Sequence, residues 1–230
     1  MFNLFNDLAN LLFPSNCSGC GQPLIISEHQ LCLHCIDKLP RTNFHHISNN
    51  IVENSLKGRI HFEKASAFCY FRKDGIMQHL IHQLKYKNNF EIGIFLGELM
   101  GKDLINCSHF ANIDIIIPIP IHPKKKRKRG YNQSEQIGIG LAKTMNKPLD
   151  TSTLIRNIHT DTQTKKSRYA RWQNVADIFA ITNSNNIKNK HILLIDDVIT
   201  TGSTLESAAN TLLKIEGVKI SIACIACAIH

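Results

Sequence analysis

An unbroken apolar run that ends in two adjacent carboxylates constrains this chain more than any other feature. Residues 191–204 read His191-Ile192-Leu193-Leu194-Ile195-Asp196-Asp197-Val198-Ile199-Thr200-Thr201-Gly202-Ser203-Thr204. A strand without polar alternation is one covered on both faces, as in a parallel sheet flanked by helices. Open α/β sheets bind ligands at the carboxyl ends of their strands, where Asp196 and Asp197 are expected to fall. A helical pattern begins at Leu205, so the loop before it opens a helix. Unpaired backbone N–H groups and the positive end of a helix dipole then face one spot, which suits a phosphate. Gly202 permits close backbone approach, and the hydroxyls of Thr200, Thr201, Ser203 and Thr204 add donors. Two carboxylates beside a phosphate would repel it unless they face sugar hydroxyls, directly or through a divalent metal. The segment predicts a ribose 5-phosphate site. The bland alternative is a buried strand followed by a capped helix with no ligand.

A length of 230 residues allows one large domain, or a domain with a small appendage. No apolar stretch approaches the ~20 residues needed to span a bilayer. The start, Met1-Phe2-Asn3-Leu4-Phe5-Asn6-Asp7, lacks the basic opening of a secretory signal, so a cytoplasmic location is expected. There, the eight cysteines are thiols or metal ligands rather than disulfides. The net charge is +9, and removing the uninterrupted block Lys124-Lys125-Lys126-Arg127-Lys128-Arg129 leaves +3. The basicity is one local patch. It argues for an anionic partner near one loop and against a protein that coats nucleic acid.

Four of the cysteines form two knuckles, Cys17-x-x-Cys20 and Cys32-x-x-Cys35. Four thiolates at this spacing can close tetrahedrally on Zn²⁺, and a site with four protein ligands holds structure rather than doing chemistry. His34 is a spare donor between the second pair. Four unmetallated buried thiols are the alternative. Before the knuckles, Phe2, Phe5, Leu8 and Leu12 mark a short amphipathic helix stopped by Pro14. It would pack on the zinc module or lie peripherally on a membrane surface. Cys224 and Cys227 sit in a buried-strand pattern on opposite faces, while Cys69 and Cys107 read as core.

Strands are expected at 65–71, 113–117, 152–155, 177–182, 191–196 and 218–227, and helices at 75–87, 90–105, 132–145 and 204–215. Their alternation predicts an α/β fold with a mainly parallel, doubly wound sheet. The organisation expected is an N-terminal helix and zinc module over 1–40, connecting strand and helices over 41–110, and the α/β domain over 111–230.

Neighbouring strand ends should complete the pocket. The strand at 113–117 leads into Pro118-Ile119-Pro120-Ile121-His122-Pro123, the basic block, and Gly130-Tyr131-Asn132-Gln133. The cations lie where a pyrophosphate would need neutralising, and Asn132 or Ser134 can cap the next helix. Six consecutive cations cannot all meet one ligand; the rest are solvated or contact something larger, such as a polynucleotide backbone. A second long connection, about 156–174, carries Arg156, Gln163, Lys165, Lys166, Arg168 and Arg171. It reads as a basic lid that would exclude water from a phosphate ester, or as a surface excursion.

The 191–204 string resembles the phosphoribosyl pyrophosphate (PRPP) fingerprint of type I phosphoribosyltransferases. With Cys17/Cys20/Cys32/Cys35, Leu84-Lys85-Tyr86-Lys87, Pro118 to Pro123, Arg129 to Gln133, Gln163, Arg168, Arg171, Asn174 and Phe179 in order, the chain resembles the ComF/GntX-like family over nearly its whole length. The resemblance implies a type I phosphoribosyltransferase fold and a PRPP/Mg²⁺ site. Asp196 and Asp197 would fix the ribose, and Thr200, Thr201, Gly202, Ser203 and Thr204 the 5-phosphate. His122, Lys124 and Arg129 would meet the pyrophosphate, and Lys165 and Arg168 would stabilise it as it leaves. The family is associated with natural competence, which implies single-stranded DNA and the competence DNA-translocation machinery as partners. A metabolic phosphoribosyltransferase acting on a nucleobase is the alternative. No general base and no purine or pyrimidine pocket can be named, and Trp172 is the sole aromatic singled out for stacking on a base.

Overall fold

Alternation along the central strand sets the architecture. In the computed structural model, which describes residues 15–157 and 178–228, Ile192 and Leu194 enter one apolar layer and Leu193 and Ile195 the other. A strand buried on both faces needs helices on both. The described elements are α1 (Leu33–Asp37), α2 (Ile51–Leu56), β1 (Lys64–Tyr70), α3 (Ile76–Tyr86), α4 (Glu91–Ile105), α5 (Ser108–Ala111), β2 (Ile115–Pro118), α6 (Pro123–Arg129), α7 (Gln133–Met145), β3 (Leu154–Arg156), β4 (Phe179–Ile181), β5 (His191–Ile199), α8 (Ser203–Leu212) and β6 (Lys219–Cys227). Strands β1, β6, β5 and β2 lie in that order, all parallel. Helices α3, α4 and α7 cover one face through Leu80, Leu84, Leu96, Ile137 and Leu141; α8 and α2 cover the other through Leu205, Ala209, Leu212, Val52 and Leu56.

Helices α4 and α7 approach on glycines. A Cβ at Gly97 would run into the Ile137 carbonyl oxygen, and one at Gly140 into that of Ile94. This close approach seats α7 tightly enough for its first turn to reach the end of β5.

Four expectations are corrected. The segments expected at 152–155 and 177–182 do not join the main sheet; β3 and β4 form a separate antiparallel pair. The β5 strand continues past the acids to Ile199, because β6 keeps pairing through Val198↔Ala226 and Ile199↔Cys227. The basic block is helix α6 rather than a loop: Pro123 holds the first position, His122 caps it, and Gly130 ends it at φ 83°. Finally, Cys224 and Cys227 both pack in the α8 layer, with Ile225 and Ala226 in the opposite one, so the alternation slips near the strand's end. Both remain buried, as do Cys69 and Cys107. The helix expected over 2–13, and the lid residues Gln163, Lys165, Lys166, Arg168, Arg171 and Trp172, lie outside the described residues. Among the described residues, no helix is long and apolar enough to cross a membrane.

Candidate functional site

The two acids have different partners. Asp196 Oδ1 accepts from the Asp197 backbone N–H at 2.8 Å and from the Ser134 hydroxyl at 2.9 Å. Asp197 pairs with Lys85 Nζ at 2.7 Å, and both side chains are largely buried. Burial pushes the Asp196 carboxyl up to about 7, with the Asp197 charge adding to the shift against the hydrogen bonds and Lys85. A carboxyl accepts hydrogen bonds in its ionised form and can also donate one when protonated. That suits it to hydroxyls, which need both.

Chain-distant residues build this corner. Asn132 is the α7 cap, accepting from the Ser134 N–H at 3.2 Å and donating to the Ile119 carbonyl at 3.0 Å. Ser134, the other candidate cap, instead directs its hydroxyl to Asp196. Lys85 comes from the last turn of α3. It is visible in the sequence as a cation off the apolar stripe of an amphipathic helix, but nothing local says that it would meet Asp197.

After β5, Thr200, Thr201, Ser203 and Thr204 are exposed and Gly202 is buried at the corner. Gly202 has φ 74°, and a Cβ there would lie 2.6 Å from Leu56 Cδ2. Glycine is needed for the turn and for the packing of α2 beneath it. Arg59 clamps the loop: it donates to the Thr201 carbonyl at 2.7 Å and to Glu206 Oε2, in the first turn of α8, at 3.0 Å. Sequence reasoning missed this arginine, which stands in a stretch with no motif. The hydroxyls of Thr201 and Ser203 are 3.0 Å apart on the open side.

The residues expected around a pyrophosphate are placed differently from one another. His122 Nδ1 accepts from the Lys124 N–H at 3.1 Å, capping α6. Lys124 is exposed on that helix, and Arg129 turns to Gln133 Oε1 at 2.7 Å and over the Tyr86 ring at 5.5 Å. Among the described residues, the cation brought onto the acid pair is Lys85. Beside it opens a cleft of ≈ 440 Å³, lined among others by Phe71, His82, Lys85, Tyr86, Asp197 and Thr200.

The four knuckle cysteines converge, with all four Sγ atoms within 4.8 Å of one another and Cys20 Sγ 3.7 Å from Cys32 Sγ. Thiolates ~2.3 Å from a tetrahedral zinc stand about 3.8 Å apart. The cluster could hold zinc, and His34 is outside it. Burial opposes ionisation of Cys17, but the backbone N–H groups of Cys32, Cys20 and Gly19 outweigh it and hold that thiol down to about 6. Such donors support a metal-bound thiolate. The knuckles are not a free appendage. Gln83 of α3 donates to the Ser18 carbonyl at 2.6 Å, Asn89 to its hydroxyl at 3.1 Å, and Cys17, Leu31, Cys35 and Leu39 share one apolar layer with Met77, Leu80 and Ile81.

A model of the phosphoribosyl transferase domain matches residues 133–229, which include both acids and the loop. The chain is 29% identical over 226 residues to competence protein F of Haemophilus influenzae, covering 94% of each. It is 27% identical over 201 residues to competence protein ComFC of Bacillus subtilis, covering 86% of this chain and 71% of that one. To the DNA utilization protein YhgH of Escherichia coli it is 28% identical over 149 residues, 64% of this chain and 65% of that one.

Proposed function

We propose that this chain, a ComF-like protein of the phosphoribosyltransferase fold, binds PRPP with Mg²⁺ and takes part in the uptake and handling of single-stranded DNA. The observation that carries the first half is the pairing, near the carboxyl end of one buried strand, of two acids held by different partners with a hydroxyl-rich, glycine-cornered helix start. Ribose hydroxyls would sit on Asp197 and Asp196, and the 5-phosphate on the first N–H groups of α8 with Thr200, Thr201, Ser203 and Thr204. Lys85 offsets the carboxylate charge that an anionic ligand would otherwise meet. The names of the relatives, competence and DNA utilization proteins, support a role in DNA uptake.

The donor set fits Mg²⁺, which typically takes one or two carboxylates and fills its shell with substrate oxygens and water. When bound, it would supply charge neutralisation between pyrophosphate and ribose oxygens. In a transferase step, the bond from C1 to the pyrophosphate oxygen breaks with its electron pair leaving on pyrophosphate, and positive charge develops on the ribose. The acceptor's lone pair forms the new bond to C1 as its proton passes to pyrophosphate or water. The carboxylates of Asp196 and Asp197, holding the ribose hydroxyls, would stabilise the developing positive charge. His122, Lys124 and Arg129 are proposed for the departing pyrophosphate, with Lys165 and Arg168 from the connection before β4.

A metabolic transferase is favoured over this reading only by the cleft beside Asp197, which has room for an acceptor ring. Calorimetric titration of PRPP with Mg²⁺ into wild type and into Asp196→Asn/Asp197→Asn is the test. Saturable binding that the double variant lowers at least tenfold is expected. Absence of binding to zinc-loaded, folded wild type would reduce the motif to scaffold.

A further inference from the structure

The sequence offers no obvious surface on which an unpaired base could stack, yet the fold builds one at the mouth of the cleft. Tyr86 ends α3 with 58% of its surface exposed, although it is a large aromatic side chain. His82, one turn earlier, places its ring 5.0 Å from the Tyr86 ring, and Arg129 holds its guanidinium 5.5 Å from the Tyr86 centroid. Arg129 is fixed there by its 2.7 Å hydrogen bond to Gln133. Two elements distant in sequence thus present an open aromatic ring flanked by an imidazole and a guanidinium. Both flanking groups are planar and both can stack on a base.

The surroundings are charged to match a strand. Arg129 is the last residue of α6, whose Lys124, Lys125, Arg127 and Lys128 are all exposed. Lys126 of the same helix reaches Glu135 at 3.7 Å while staying more than half exposed. Lys87 follows Tyr86 directly and is also exposed. The cationic helix meets the ring through Arg129, and the ring lines one cleft with Lys85 and Asp197. An adventitious basic surface has no reason to hold an aromatic ring open at its border. A duplex could use the cations but not the ring, because its bases are already stacked and paired.

We propose that Tyr86, with His82 and Arg129, is the stacking platform for an unpaired base of single-stranded nucleic acid whose phosphates lie along α6. This rests on the reading of the protein as one that handles single-stranded DNA, and it names the surface that does so. Tyr86 shares the cleft lining with Lys85 and Asp197, and Lys124 and Arg129 are common to this surface and to the residues proposed for the pyrophosphate, so DNA and PRPP would compete for them.

Fluorescence anisotropy of a labelled 20-nucleotide oligothymidylate with the full-length, zinc-loaded protein tests the proposal. A stacked base is expected to make Tyr86→Ala weaken binding by roughly 5- to 100-fold. Tyr86→Phe should stay within about twofold of wild type, since stacking does not use the hydroxyl. Replacing Lys124, Lys125, Arg127 and Lys128 by glutamine should instead flatten the salt dependence, by about 0.7 in log–log slope for each phosphate no longer neutralised. Unlabelled duplex of the same length should compete poorly with the labelled strand. Zinc content and thermal midpoint report folding of each variant, and Tyr86 is exposed enough for its removal to leave both in place.

Wild-type binding with an unchanged Tyr86→Ala variant would overturn the platform and leave the DNA reading standing. A Tyr86→Phe loss as large as that of alanine would also overturn it, because the ring would then be acting through its hydroxyl. Failure of the wild type to bind the strand would overturn platform and DNA reading together, while the PRPP titration reports independently on the acid pair.

Discussion

The cysteine knuckles and the acid-and-loop site where β5 leads into α8 are both polar sites, but they are assembled in opposite ways. The knuckles draw every candidate ligand from Cys17 to Cys35, and the four sulfurs converge within 4.8 Å. The acid-and-loop site combines Arg59, Lys85 and Ser134 with residues 196–204. A site closed by its own short segment can be specified by spacing alone. A site opened at the carboxyl ends of a sheet's strands must be completed by whatever packs there, and its chemistry depends on the packing. The two regions are also joined, because α3 receives the knuckles through Gln83 and Ser18 at one point and delivers Lys85 to Asp197 at another.

The largest effect should come from breaking that join at the four cysteines. Cys35→Ser, or chelation of the wild type, should cost at least ~3 kcal/mol, because a structural zinc contributes its binding energy directly to folding. The loss should reach the cleft, since the layer holding Cys17 and Cys35 also holds Met77, Leu80 and Ile81 of α3. Metal analysis, thermal unfolding and PRPP titration on the same sample check this. Full zinc retention in Cys17→Ser and Cys35→Ser would remove the metal from the comparison. Loss of zinc with unchanged stability and PRPP affinity would show the two sites to be independent.

What is legible in the sequence follows the same division. The knuckles, the buried β5 run and the loop after it can all be read, because each is local: ligand spacing, lack of alternation, and glycine among hydroxyls. The parallel sheet follows from strands alternating with helices. Helix α6 reads as a loop because six like charges hide any apolar stripe, although its punctuation, Pro123 at the start and Gly130 at the end, is in plain view. Strands β3 and β4 are three residues each, too short for a period to tell which sheet they join. Lys85, Ser134 and Arg59 cannot be assigned their partners from sequence, since each meets its partner only through the packing of helices. Tyr86 is visible within Leu84-Lys85-Tyr86-Lys87, but its exposure beside Arg129 is not.

A smaller effect, with an unusual sign, is expected at Asp196. Its folded pKa is raised to about 7, so the unfolded chain releases this proton more easily than the folded one. The associated stability is present in full below the unfolded value near 4 and is lost as the pH rises through about 7. Asp196→Asn keeps an oxygen to accept from Ser134 and the Asp197 N–H but cannot ionise. It should therefore be more stable than wild type at pH 8 and indistinguishable from it near pH 4. Denaturant unfolding at the two pH values decides. A variant destabilised equally at both would mean that the hydrogen bonds hold the carboxyl and that its charge costs nothing in the folded state. The knuckles offer the contrast: at Cys17 backbone donors overcome burial, whereas at Asp196 burial and a like charge prevail.

Arg59 provides the finest test of whether the acid-and-loop site depends on its distant members. Its guanidinium spans three acceptors at once: the Ser55 carbonyl at 3.0 Å, the Thr201 carbonyl at 2.7 Å and the Glu206 carboxylate. Lysine keeps the charge but cannot reproduce the planar fork. The ion pair with Glu206 is about one third exposed on both sides, so solvent screening limits its worth. Arg59→Lys should cost ~1 kcal/mol or less in stability, yet weaken PRPP several-fold, because the Thr201 carbonyl loses the donor that fixes the turn before Gly202. Glu206→Gln separates the two contributions: it removes the ion pair while Arg59 still reaches Thr201, and PRPP affinity should stay close to wild type. Equal losses of affinity in both variants would place the effect in the charge of the α8 first turn. No loss in either would mean that Gly202 and its packing on Leu56 hold the loop unaided, making that site as self-contained as the knuckles.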